Sequence, residues 1–147
     1  MMAEQDFLDA LNEGLQRATQ IQRTHYHLTL GKLIFALNAK CDEADPWHVE
    51  FSDTGGYPCA PQSYRGYYED LAFEERTDGR LSVKALHGIC VATLGTTITG
   101  YKGGDYTVDS DTVLWRSAWG EASDEAIVGV HADHTRLTLV LEIRRVE

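Results

Sequence analysis

The sequence predicts an α+β fold: a mainly antiparallel sheet, two helices packed on one face of it, and a further amphipathic helix at the N-terminus. Three observations carry that prediction. Two segments of helical length open on Thr29 and Ser82, residues whose side-chain oxygens accept the unpaired amide hydrogens of a first helical turn. Several further runs alternate apolar and polar residues with a period of two, or are rich in aromatic and β-branched residues, and are separated by Gly, Pro and Asp. Finally, 147 residues at 43% hydrophobic and 24% charged suit one domain built on a single core.

Taken in order, Phe7, Leu8, Leu11, Leu15, Ala18 and Ile21 recur at three- and four-residue steps from Met2 to about Gln22, the stripe of an amphipathic helix. Residues 1–27 therefore read as this helix and a linker, whose stripe docks either on its own core or on a neighbouring subunit in a homo-oligomer. The remainder, 28–147, reads as one α+β domain. Behind Thr29, Leu33, Ile34 and Leu37 mark the apolar face of a helix from Leu30 to about Lys40, ended by Asp45-Pro46. Trp47, Val49 and Phe51 then alternate with His48, Glu50 and Ser52 as a strand. Gly55, Gly56, Pro58 and Pro61 predict a loop, and Tyr67 to Glu75 a returning strand.

After the Thr77-Asp78-Gly79 turn, Ser82 caps a helix from Val83 to Leu94, stopped by Gly95. Extended runs follow at Thr96 to Thr99, Thr112 to Trp119, Ala126 to His131 and Arg136 to Val146. In the last of these Leu137, Leu139, Leu141 and Ile143 alternate with Thr138, Val140, Glu142 and Arg144, so one face is buried. The two middle sections share a plan of capped helix, strand, Gly-rich loop and aromatic strand, the pattern a degenerate internal duplication would leave.

Thirteen Lys and Arg against 23 Asp and Glu give a net charge of −10, which disfavours sequence-independent binding to duplex nucleic acid, an affinity that comes from neutralising phosphates. No apolar run approaches the roughly 18 residues of a spanning helix, and the N-terminus lacks the order of a secretion signal, so a soluble cytoplasmic chain with no membrane partner is expected. Cys41, Cys59 and Cys90 form no CxxC pair, and free thiols are expected in place of a disulfide framework or zinc site.

Two segments concentrate groups suited to ligand recognition. Ser63-Tyr64-Arg65-Gly66-Tyr67-Tyr68-Glu69-Asp70 offers a guanidinium fork for an anion and Tyr faces for a planar ring; alternatively Tyr64, Gly66 and Tyr68 fill a sheet face while Arg65 pairs with Glu69 or Asp70. In Gly100-Tyr101-Lys102-Gly103-Gly104-Asp105-Tyr106 three glycines allow backbone amides to approach a phosphate and Lys102 adds a point charge; alternatively the loop only reverses the chain. It is neither a P-loop nor a dinucleotide fingerprint. Trp115, Arg116 and Trp119 provide a stacking platform beside it, unless Trp115 and Trp119 serve as core and lid.

Catalytic patterns are weaker. His25 and His27 share one side of a strand, and His131 and His134 bracket Asp133, but no spacing unites the pairs at a metal, so neither metal nor cofactor is expected. His27-Leu28-Thr29 fits one HxT element of the two-histidine phosphoesterases, whose second element is missing. A Cys-His hydrolase from Cys59 or Cys90 with His48 or His87 is formally open, yet Cys90 sits beside Ile89 and Val91 as a buried thiol would.

The stretches Ser63-Tyr64-Arg65-Gly66-Tyr67-Tyr68-Glu69-Asp70-Leu71-Ala72-Phe73 and Thr99-Gly100-Tyr101-Lys102-Gly103-Gly104-Asp105-Tyr106, followed by Trp115, resemble a widespread group of small bacteriophage and prophage proteins. The resemblance spans Leu28 to about Val130. By analogy with phage sponges that oppose Thoeris and CBASS defence, it implies a non-enzymatic anti-defence protein that sequesters a nucleotide-derived immune signal in the host cytoplasm. In that reading Tyr64, Tyr67 or Tyr106 stacks on a base and Arg65, Lys102 and the Gly103 and Gly104 amides hold phosphates, with Tyr68, Tyr101, Trp115 and Arg116 as further ligand-binding residues. Two other readings belong to different classes: an acidic inhibitor that occupies a defence nuclease, and a small hydrolase using His and carboxylate groups.

Overall fold

The computed structural model describes residues 27–64, 67–99, 104–118 and 121–145. The predicted N-terminal helix, Met2 to Gln22, lies outside them. The chain is a mixed α+β protein whose described helices are α1 (Leu30–Cys41) and α2 (Val83–Thr93). Both caps form as their chemistry dictates: the Lys32 amide donates to Thr29 Oγ1 at 3.3 Å, and the Ala85 amide to Ser82 Oγ at 3.1 Å. The helices bury Leu30, Leu33 and Leu37, and Val83, Leu86 and Cys90, on faces set by three- and four-residue spacing.

Among the described residues nine strands run in chain order: β1 (His48–Phe51), β2 (Tyr57–Tyr64), β3 (Tyr67–Arg76), β4 (Leu81–Ser82), β5 (Thr97–Thr99), β6 (Asp105–Thr107), β7 (Leu114–Ala118), β8 (Glu121–Asp133) and β9 (Thr138–Arg145). Seven of them form one sheet in the order β2-β3-β7-β8-β9-β1-β4, while β5 and β6 make a separate hairpin. The sheet is mainly antiparallel, with parallel joins at β3–β7 and β1–β9.

Adjacent residues in a strand face opposite sides of a sheet, and two apolar clusters follow from that alternation. Leu71, Phe73, Leu114, Ile127, Leu139 and Leu141 join the helix residues Leu33, Leu37, Leu86 and Cys90 in the main core. Their sequence neighbours Ala72, Trp115 and Ala126 join Tyr64 in a second cluster across the sheet.

The structure corrects several sequence expectations. The segment containing Pro58 and Pro61 is no loop but the edge strand β2, where a residue without an amide hydrogen leaves no central ladder bond unmade. Ala60, at φ 45°, sits where the pairing with β3 slips between Cys59 and Gln62. β8 begins at Glu121, five residues before the expected start. In β9, Val140 and Thr138 are buried as well as Leu139 and Leu141, so the strand is covered on both sides where it begins. The shared plan of the two middle sections extends to the helix caps; in the sheet it stops, because β1 joins the seven strands and β5 pairs only with β6. No helix among the described residues is long and apolar enough to cross a membrane.

Candidate functional site

Several of the residues that the sequence offers for ligand contact meet at Asp70. This carboxylate is buried, and its Oδ2 accepts the Trp115 indole hydrogen at 2.8 Å. The backbone carbonyl of Asp70 accepts the Tyr106 hydroxyl at 2.9 Å, so the tyrosine-rich and glycine-rich segments are joined through one residue. Tyr64, 1% exposed, stacks on Trp115 with ring centroids 4.4 Å apart and planes 4° from parallel. His27 covers Trp115 at 4.5 Å, and Trp115 is only 4% exposed. The rings of Tyr64 and Trp115 thus stack on one another within the fold.

Arg116 follows Trp115 in β7 and so points to the other side of the sheet. There its guanidinium holds both oxygens of Asp53 at 2.7 Å and Glu125 Oε2 at 2.9 Å, lies 3.5 Å from Glu75 Oε2, and covers the Phe51 ring at 5.0 Å. The hydrogen bonds to Asp53 raise the affinity of Arg116 for its proton, and the same bonds hold the Asp53 carboxyl below its ordinary value. Trp115 and Arg116 do not form one platform. Gly104 is exposed; Arg65, Tyr101, Lys102, Gly103 and Trp119 lie outside the described residues, as do the side chains of Tyr67 and Tyr68.

An open cleft lies elsewhere, at the β1–β4 limb of the sheet. It measures about 350 Å³ and is bordered by His48, Val49 and Glu50 of β1, Gly55, Tyr57, Gly79, Arg80, Arg136 and Thr138. Strand alternation builds its wall: Val49 and Phe51 face the main core, which turns His48 and Glu50 the other way, and the β1–β9 register sets Thr138 beside His48. Gly79, at φ 105°, makes the turn that delivers Arg80 to the start of β4, and a Cβ there would meet no atom within 4 Å.

Electrostatics distinguish the two arginines of this cleft. Arg136 is held by both oxygens of Glu50 at 2.6 Å, with Asp133 at 3.8 Å, and the Glu50 hydrogen bond raises its hold on its proton. Arg80 makes no ion pair with any described residue. The acid nearest to it in sequence, Asp78, is already engaged: Arg76 donates to its two oxygens at 3.0 and 2.7 Å, and the Tyr57 hydroxyl donates to Oδ1 at 3.3 Å. Tyr57 is thereby fixed at the cleft with its phenol pushed up, first by partial desolvation and then by Asp78. An exposed guanidinium with unused donors beside a fixed aromatic ring is an arrangement that recognises a planar anion.

Among the described residues, none that the sequence singles out for ligand contact borders this cleft, whose signal is long-range: His48, Tyr57, Arg80 and Arg136 are brought together from distant parts of the chain. Of the other chemical candidates, His48 borders the cleft and His25 lies outside the described residues, while His131, His134 and Cys90 are engaged elsewhere. His131 Nδ1 lies 2.9 Å from Glu142 Oε1, and His134 meets the edge of Trp47 at 5.2 Å. Cys90 is buried in α2 as expected, and burial pushes its thiol up to about 12. Among the described residues no three His, Cys, Asp or Glu side chains gather as a metal site.

No family model, curated protein or solved structure matches the chain. The functional reading therefore rests on the geometry.

Proposed function

We propose that the protein is a non-catalytic binder of a small anionic ligand carrying a ring, and that the β1–β4 cleft is where it is held. The observation that carries this reading is Arg80: a cation without an ion-pair partner among the described residues, on the border of a 350 Å³ cleft, in a chain of net charge −10. Local groups outweigh net charge within a cleft, so an overall acidic chain retains an attractive site for an anion. Tyr57 supplies the ring contact and Arg136 a second set of donors, oriented by Glu50. The biological setting we propose is the one the phage resemblance implies, withdrawal of a nucleotide-derived immune signal from solution.

This reading moves the ligand away from Tyr64, Trp115 and Arg116, whose ring faces and charge are engaged inside the fold. The test is thermal denaturation of the purified chain against nucleotides, cyclic dinucleotides, ADP-ribose derivatives and aromatic carboxylates, with the ligand recovered and weighed by mass spectrometry. A ligand at 100 times its Kd adds about 2.7 kcal/mol of stability, an upward melting shift that Arg80→Ala abolishes while the recovered ligand is unchanged in mass. Recovery of an altered compound would make the protein an enzyme, and silence across the panel would remove the small-ligand reading.

A further inference from the structure

We infer that the ligand of the β1–β4 cleft is a cyclic mononucleotide: one base and one phosphodiester bearing a single negative charge. The inference rests on the binding reading above and narrows it by size and by charge. Ligand pockets span roughly 300–1,000 Å³, and a cleft of about 350 Å³ is at the small end, suited to one ring system and one anionic head. Two linked nucleotides, or a pyrophosphate-bridged pair of sugars, call for a larger cleft than this one.

Charge leads to the same class. On the cleft border itself the ionised groups are Arg80, Arg136 and Glu50, a surplus of one positive charge, with Asp133 behind the border at 3.8 Å from Arg136. Glu50 is matched to Arg136 at 2.6 Å, so the surplus resides on Arg80. A phosphodiester monoanion balances it, whereas a second phosphate would be desolvated next to Glu50 without a cation of its own. The planar fork of Arg80 suits two phosphate oxygens, and Tyr57, held through Asp78, presents its ring to the base at little entropic cost. The Thr138 hydroxyl is spent on the Arg136 carbonyl at 3.0 Å, so it orients that arginine's backbone in place of reading the ligand.

The experiment is isothermal titration of the full chain with 3′,5′-cyclic mononucleotides of each base, with inorganic phosphate, and with cyclic dinucleotides. The expected result is binding of a cyclic mononucleotide at one per chain, weakened at least tenfold by Arg80→Gln and by Tyr57→Leu and unchanged by Arg145→Gln, an exposed arginine away from the cleft border. Arg80 is exposed, so its substitution leaves the fold intact, verified by an unaltered melting temperature. Tight binding of a cyclic dinucleotide that Arg80→Gln abolishes, with no heat from mononucleotides, would overturn this inference and leave the wider reading standing. Mononucleotide binding indifferent to Arg80→Gln would overturn the assignment to this cleft. Silence toward every compound in both panels would overturn both.

Discussion

Arg116 illustrates how much a single residue's fate depends on strand geometry. It is one position from Trp115 in sequence, and the two together read as a stacking and phosphate-binding pair; the alternation of β7 sends Trp115 toward Tyr64 and Arg116 toward Asp53, Glu75 and Glu125. Arg116→Met should destabilise the fold by about 2–3 kcal/mol, less than the ~3–5 kcal/mol for a fully buried pair because Asp53 is half in solvent, as measured by urea denaturation. The pair also sets a pH dependence. Asp53 has its carboxyl lowered by the Arg116 hydrogen bond, so its contribution is present in full above the ordinary value of 3.8 and is lost as pH falls through the lower native value. Wild type should therefore lose stability more steeply than Asp53→Asn on acidification from about pH 5 to about pH 2, and parallel profiles would dissociate the pair from acid sensitivity. Residue identities were legible in the sequence; the side of the sheet on which each would act was legible only where a clean period-two run existed, as at Val49 and Phe51.

At the level of elements, the helices were legible nearly to the residue because capping chemistry is local: Thr29 and Ser82 bond amides three positions ahead. Edge strand β2 was not, since Pro58 and Pro61 carry a turn signal that an edge position overrides, and the start of β8 was hidden because Glu121-Ala122-Ser123-Asp124-Glu125 has no apolar period. α1 also carries a constraint invisible to periodicity. Its Gly31 amide donates to the Ser110 carbonyl at 2.9 Å, and a Cβ at Gly31 would lie 2.8 Å from Ser110 Cβ and 2.9 Å from Ser110 O. Because the obstacle includes backbone, Gly31→Ala should cost about 1–3 kcal/mol despite alanine's better helix propensity. A melting temperature equal to or above wild type would mean that the 108–112 segment yields freely.

For the whole molecule, the two parallel joins decide how the sheet coheres. β9 pairs with β8 in one direction and β1 in the other, and it contributes Leu139 and Leu141 to the main core. Leu141→Ala should cost about 2–5 kcal/mol and reduce hydrogen-exchange protection of β1 and β8 amides together, since one cooperative sheet transmits the loss in both directions. Loosening confined to β1 and β4 would instead make that limb a separate unit of stability. The candidate cleft was the least legible feature of all, because its border exists only once β1, the turn before β4 and the approach to β9 have been brought side by side.

The β1–β9 join has a kinetic corollary. His48 and Thr138 pair across 90 residues of chain, one of the most distant strand partnerships in the molecule, and contacts so remote in sequence form slowly because a large loop must close first. Helices and hairpins with local partners can assemble ahead of it, but Tyr57, Arg80 and Arg136 cannot surround a common space until it closes. On the proposed reading, capture of a ligand is thereby tied to the completion of folding: the cleft is assembled only once this join has closed, and a bound ligand would act as a clasp on one of the slower contacts to form.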